Sequence, residues 1–182
     1  MKKISIVIAA LAIHLVGLRA QPKDIFLAAR LGDVETIEAY LREGGAIDSL
    51  NPKGYTMLFL AVYNKKAELA KLLMERGANV NVRDFMGNTP LMGAAFKGET
   101  ELVKALVEKG ADVNARNAVG VTALMFAAMA GRKETVGALI ERGADVNAVD
   151  QRGFTALALA LHQGAREVAE LLSSLMAGAS EK

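Results

Sequence analysis

The chain has 182 residues, of which 52% are hydrophobic and 23% charged, so it is a folding chain and not a disordered one. It holds no cysteine and no tryptophan, which excludes a disulfide framework, a thiolate nucleophile and a cysteine metal site. The formal charge of +2 owes its sign to Lys2, Lys3 and Arg19 in the first twenty residues; the remainder is close to balance and has no electrostatic reason to seek nucleic acid or an anionic membrane.

In chain order, Met1-Lys2-Lys3 gives a positive start. Ile4 to Leu18 then runs fifteen residues without a charge, interrupted only by Ser5, His14 and Gly17. Leu18-Arg19-Ala20 leads into Gln21-Pro22. A basic start, an apolar stretch and a small residue before a polar one read as a secretory signal peptide over residues 1–20, cleaved after Ala20. The apolar run is shorter than the roughly 20 residues that span a bilayer as a helix, which favours a leader over a retained membrane anchor. With no cysteine after it, a lipoprotein anchor is excluded. The expected compartment is the periplasm or the outside of the cell.

From residue 21 the chain repeats itself. Gly54, Gly87, Gly120 and Gly153 lie 33 residues apart. The same spacing joins Thr56, Thr89, Thr122 and Thr155, and again Leu58, Leu91, Leu124 and Leu157. It joins Ala28, Ala61, Ala94, Ala127 and Ala160, and also Gly44, Gly77, Gly110 and Gly143. Ile47, Val80, Val113 and Val146 form a further series, followed by Asp48, Asn81, Asn114 and Asn147. The units fall at about 21–50, 51–83, 84–116, 117–149 and 150–178, with a polar tail at 179–182.

Each recurring residue has a physical task. In the first unit Pro22 and Asp24 start a helix and Asp33 opens a second. In the others threonine caps the first helix by accepting from an otherwise orphan N–H. Pro90 follows Thr89 at the first helical place, where proline costs nothing. Leu91, Ala94 and Ala95 share one helical face, and the small alanine lets neighbouring helices approach. Gly98 or Gly131 ends that helix. Glu99 opens the next, whose core stripe is Leu102, Val103, Leu106 and Val107. Gly110 closes it in a left-handed conformation. A turn centred on Gly120 then projects toward the following unit. Lys65 stands where other units have glycine, which weakens the expectation of a turn there. The last helix replaces inner valines by Ala169 and Ser173 and continues into Ser174, so the array is expected to end in a polar cap and the chain to be complete.

The stretch GNTPLMGAAFKGETELVKALVEKGADVNARN, and after it GVTALMFAAMAGRKETVGALIERGADVNAVD, closely resembles the ankyrin repeat. The resemblance covers residues 22–176. It implies an all-α ankyrin-repeat solenoid of five helix-turn-helix units with projecting hairpin-like loops, stacked so that loop tips and first helices form a concave binding face. The family's Thr-Pro-Leu-His is altered: Phe59, Met92, Met125 and Ala158 stand in the histidine place. The inter-loop hydrogen bonds of that histidine are thereby lost, and apolar packing is expected in their stead.

No catalytic centre emerges. His162 is the single histidine after the leader, with no cysteine or paired serine motif, so the expectation is a protein that is not an enzyme and uses no cofactor and no metal. Asp48, Asp112 and Asp145 occur singly in turns and read as turn caps, not calcium ligands. The isolated glycines form no phosphate loop. What remains is a protein-binding face. By register its loop tips are Pro52, Lys53 and Tyr55; Phe85, Met86 and Asn88; Ala118, Val119 and Val121; Gln151, Arg152 and Phe154. Its first-helix places are Tyr63 and Asn64; Phe96 and Lys97; Met129 and Ala130; His162 and Gln163. Aromatic and methionine side chains crowd this set, as they do at interaction sites. The residues expected to bind are Tyr55, Tyr63, Phe85, Met86, Asn88, Phe96, Lys97, Val119, Val121, Met129, Arg152, Phe154 and His162. The alternative is packing of rings between loops, expected first of Phe154 and Phe96.

The reading is therefore a non-catalytic protein–protein interaction module, monomeric, in the periplasm or outside the cell, free of nucleic acid and, after cleavage, of membrane. The alternatives are a secreted effector that binds a host protein and a membrane-anchored scaffold that keeps its N-terminal segment.

Overall fold

The computed structural model describes residues 24–179, the last four of them by backbone alone; the expected leader over residues 1–20, Pro22 and the tail beyond Ala179 lie outside the described residues. Ten helices follow one another and no strand occurs among the described residues. They are α1 (Ile25–Leu31), α2 (Val34–Arg42), α3 (Met57–Tyr63), α4 (Ala67–Glu75), α5 (Pro90–Lys97), α6 (Thr100–Glu108), α7 (Ala123–Met129), α8 (Lys133–Glu141), α9 (Ala156–His162) and α10 (Arg166–Ala179). Each unit is one antiparallel pair. The principal helix contacts run within a unit or to the next unit, first helix on first helix and second on second, with none that skips a unit. The fold is an all-α solenoid.

Local chemistry sets the helix starts. Thr56, Thr89, Thr122 and Thr155 are extended N-caps whose hydroxyls accept from the N–H three residues on. At Thr89 the cap is reciprocal, because its own N–H reaches Met92 Sδ at 3.4 Å. Asp24 and Asp33 cap α1 and α2 through their carboxylates. Glu99 does not cap α6 with its side chain, contrary to expectation. It is drawn instead to the Lys65 ammonium, 2.8 Å away.

The turn at Lys65 keeps the same shape as its glycine counterparts. Lys65 has φ 59°, against 79° at Gly32 and 75° at Gly98, and it is the one non-glycine residue with positive φ among the described residues. Packing of α3 and α4 around it enforces a conformation that its Cβ disfavours.

The core is a continuous column. Ala61, Ala94, Ala127 and Ala160 are fully buried, and Ala28 nearly so. Leu58, Leu91 and Leu124 fill the spaces beside them, and Leu69, Leu102 and Leu139 seal the second helices. Val107 is only half-buried, so the stripe of α6 is carried by Leu102, Val103 and Leu106. At the end of the array α10 runs 14 residues where α4, α6 and α8 run nine. Met176 occupies the place of Gly77, Gly110 and Gly143, so nothing stops the helix. Ser173 and Ser174 face solvent as expected of a cap, but Leu161 and Leu175 are exposed beside them.

Two stability tests follow. Lys65→Gly relieves a left-handed side chain and loses only an exposed ion pair, so denaturant unfolding should show a gain of about 1 kcal/mol. Ala94→Leu overfills the column and should cost about 1–3 kcal/mol by the same measurement, while the exposed Ala118→Leu should be near neutral.

Candidate protein-binding surface

The projecting loops are built on one residue per unit that the sequence reading passed over. Asn51, Asp84, Asn117 and Asp150 each turn Oδ1 back to two backbone N–H groups, two and four residues on. The backbone closes the same loop. Asn117 N–H donates to Val121 O at 3.0 Å, and Gly120 N–H donates to Asn117 O at 3.0 Å. Gly120 has φ 80°, and a Cβ there would meet Gln151 N at 3.2 Å in the next loop. These are asparagine and aspartate turns, whose short side chains mimic a backbone turn.

Loops are joined to loops by hydrogen bonds, so apolar packing does not act alone at the altered histidine place. Asn117 Nδ2 donates to Asn88 Oδ1 at 2.9 Å, Arg83 Nη1 to Arg116 O at 2.6 Å, and Arg116 Nη2 to Val149 O. Gln151 Nε2 reaches Ala118 O at 2.9 Å. A second ladder uses the asparagine series. Asn81 donates to Gly110 O and accepts from Asp112 N–H, and Asn114 repeats this with Gly143 O and Asp145 N–H. Asp112 and Asp145 also cap their own turns, as expected. Asp48 differs, accepting from Asn79 N–H of the next unit. Beneath the loops Phe59, Met92 and Met125 are buried, so the lost histidines are replaced by packing as well.

The expected binding residues fall into three groups. Tyr55, Tyr63, Asn88 and Phe96 line a groove of about 740 Å³ that runs along the loops and first helices of the first four units, with Pro52, Lys53 and Asn64 also in its lining. Its floor is a ring stack: Tyr55 on Phe59 at 4.7 Å between centroids, and Phe59 on Tyr63 at 6.0 Å, both nearly parallel. Phe96 meets Phe126 edge to face at 6.2 Å yet stays 37% exposed. Lys97 Nζ lies 4.0 Å over the Tyr63 ring. A second hollow of about 180 Å³ gathers Met129, Arg152, Phe154, His162 and Gln163 at the far end. Phe85, Met86 and Val119 line neither and stand out on loop tips, Phe85 74% and Met86 58% exposed.

Two expectations are corrected. Val121 is buried in the core and out of a partner's reach, because the turn at Asn117 folds its side chain under the loop. The rings that stack between loop and helix are Tyr55 and Tyr63, through Phe59. Phe154 is instead 41% exposed, with only the Arg152 guanidinium, 5.0 Å away, over its face. Phe59, Phe126 and the wall residues Phe26 and Leu60 were not expected in the site. The signal was present: Tyr55, Phe59 and Tyr63 are four apart, the spacing that stacks side chains along a helix.

Among the described residues no three histidine, aspartate or glutamate side chains converge, and no helix is long and apolar enough to cross a membrane. The family model of ankyrin repeats in three copies matches residues 25–117 and 115–180, and the chain belongs to the ankyrin-repeat family. No curated protein matches it. Ankyrin repeats are generally protein–protein interaction modules and generally non-catalytic.

The turn at Asp150 carries an acid response of its own. The Phe154 N–H holds its carboxyl below the usual aspartate range, helped by the Arg152 side chain and N–H against the opposing effect of burial. Its folded pKa thus lies below the unfolded one. The stability it contributes is complete above the unfolded value and is lost as pH falls through the folded value. Asp150→Asn keeps the Oδ1 acceptor, as Asn51 and Asn117 do naturally. As pH falls, exchange of the Phe154 amide should slow less than the intrinsic base-catalysed rate in the wild type, because the turn loosens, and should follow the intrinsic rate in the variant.

Proposed function

We propose that this protein is a non-catalytic interaction module that is exported and captures a partner protein through its loop tips and first helices. The observation that carries the reading is the aromatic groove of about 740 Å³ flanked by exposed Phe85 and Met86. Exposed rings and methionine beside a hollow are the chemistry of an interface: rings anchor, and the flexible thioether adapts. Arg152, Phe154 and His162 at the far hollow extend the face. Export rests on the charge and hydropathy pattern of residues 1–20, and the working compartment is the periplasm or the exterior.

The face is tested by Phe85→Glu combined with Phe96→Glu. Partner capture should weaken by about thirtyfold or more, the loss expected of two interface anchors, with helicity unchanged. A folded variant that captures its partner unaltered would show that the surface is elsewhere. N-terminal sequencing of the protein from cell fractions tests export. Gln21 at the start, in a soluble fraction outside the cytoplasm, is expected; an intact Met1 in the membrane fraction would favour the anchored scaffold.

A further inference from the structure

One position inside the groove departs from its register. Leu27, Leu60, Phe126 and Leu159 occupy the equivalent place in the other units, and the third unit has Gly93. Gly93 lies within α5, where glycine weakens a helix. No turn demands it, because its φ is not positive. No close approach demands it either: a Cβ there would meet Tyr63 Cδ2 at 3.6 Å and the Phe59 ring at 4.0 Å, which is ordinary contact. The missing side chain leaves space, and that space is part of the groove between Leu60 and Phe126.

Two cations and two acids line the space, and what differs between them is their partners. Arg30 and Lys53 line the groove, and neither has an acidic partner among the described residues. Lys97 leans over Tyr63. The two acids of the lining are committed to backbone. Asp24 caps the N–H groups of Phe26 and Leu27 at 3.0 and 3.1 Å. Asp84 is 8% exposed and accepts from Met86 N–H and Asn88 N–H, both at 2.8 Å. The two cations of the lining are thus unpaired among the described residues, while its two carboxylates are hydrogen-bonded to backbone N–H groups.

We infer that the groove takes an acidic peptide segment carrying one bulky apolar side chain, which fills the space left by Gly93 while flanking carboxylates meet Arg30, Lys53 and Lys97. The inference rests on the interaction-module reading and names the chemistry of the partner. Apolar burial in the hole supplies affinity, and the cations supply selectivity and rate of encounter.

The probe is a short fluorescein-labelled peptide with a phenylalanine between runs of aspartate and glutamate, titrated by anisotropy with the protein as its producing cells process it. It should bind about tenfold or more tightly than the same peptide with lysine for the acids or alanine for phenylalanine, and weaken as salt is added. Gly93→Leu, which restores the side chain of the neighbouring units, should melt no lower than the wild type and lose the acidic peptide. Arg30→Glu with Lys53→Glu should reverse the preference toward the lysine peptide, and this second variant decides the matter if Gly93→Leu does not fold. No binding of the acidic peptide, equal affinity for both charge types, or full binding by folded Gly93→Leu would overturn the inference. So would self-association that Gly93→Leu abolishes, which would make a second copy the occupant. A native partner lost by the Phe85→Glu, Phe96→Glu protein but held by Gly93→Leu would overturn this groove as the seat and leave the interaction module standing.

Discussion

The whole stack depends on how closely its first helices approach. Ala61, Ala94, Ala127 and Ala160 present only a methyl group at the point of contact, and each is fully buried. A larger side chain there would separate the units, and the loops above would then be out of register with one another. The distances between loops are short, 2.9 Å from Asn117 Nδ2 to Asn88 Oδ1 and 2.9 Å from Ala118 N–H to Met86 O. Bonds of that length tolerate little displacement. The methyl column therefore fixes the loop ladder, and the ladder in turn fixes where the exposed side chains stand.

The binding face is uneven along the stack for a chemical reason. All four loops share an asparagine or aspartate turn, but only the first four units bring aromatic rings to one place. Tyr55, Phe59 and Tyr63 form the floor from a single helix and its leading loop, and Phe96 and Phe126 close one side. Farther along, Ala158 replaces the ring or methionine beneath the loop, and the hollow shrinks to about 180 Å³. Polar ion pairs such as Arg76 with Glu38 and Lys133 with Glu167 lie on the exposed outside of the second helices and contribute little to shape.

Much of this is legible in the residues. The periodic glycine, threonine, leucine and alanine series specify unit length, helix starts and the core column, because each residue type answers a local backbone or packing demand. The loop turn was legible too, in Asn51, Asp84, Asn117 and Asp150, but alternation between asparagine and aspartate hides it from a search for identical residues. The burial of Val121 was not legible. Its neighbours in the same register, Tyr55, Asn88 and Phe154, stay partly or fully exposed, and which way a loop side chain turns depends on the adjacent unit. The space at Gly93 within the groove was least legible of all, because an absent side chain has no periodicity to read. Lys65 shows the reverse failure: packing imposes a glycine-like turn on a residue that would not choose it.

The loop ladder is not uniform. Ala118 N–H donates to Met86 O, and Gln151 N–H to Val119 O, tying the third loop tip to the second and the fourth to the third. The equivalent backbone bond from Phe85 to Lys53 is absent among the described residues; there the Phe85 ring rests against Gly54 instead, 3.0 Å from where a Cβ would stand. The junction that forms the lip of the groove is thus held by a soft contact where its neighbours are held by directional ones. Phe85 N also lies 3.1 Å from that Cβ position, so the loop tips meet as closely here as elsewhere, and the bare backbone of Gly54 is what admits the ring. A side chain at residue 54 would push the second loop tip away from the first, so one hydrogen atom in place of a methyl group sets the width of the groove's lip.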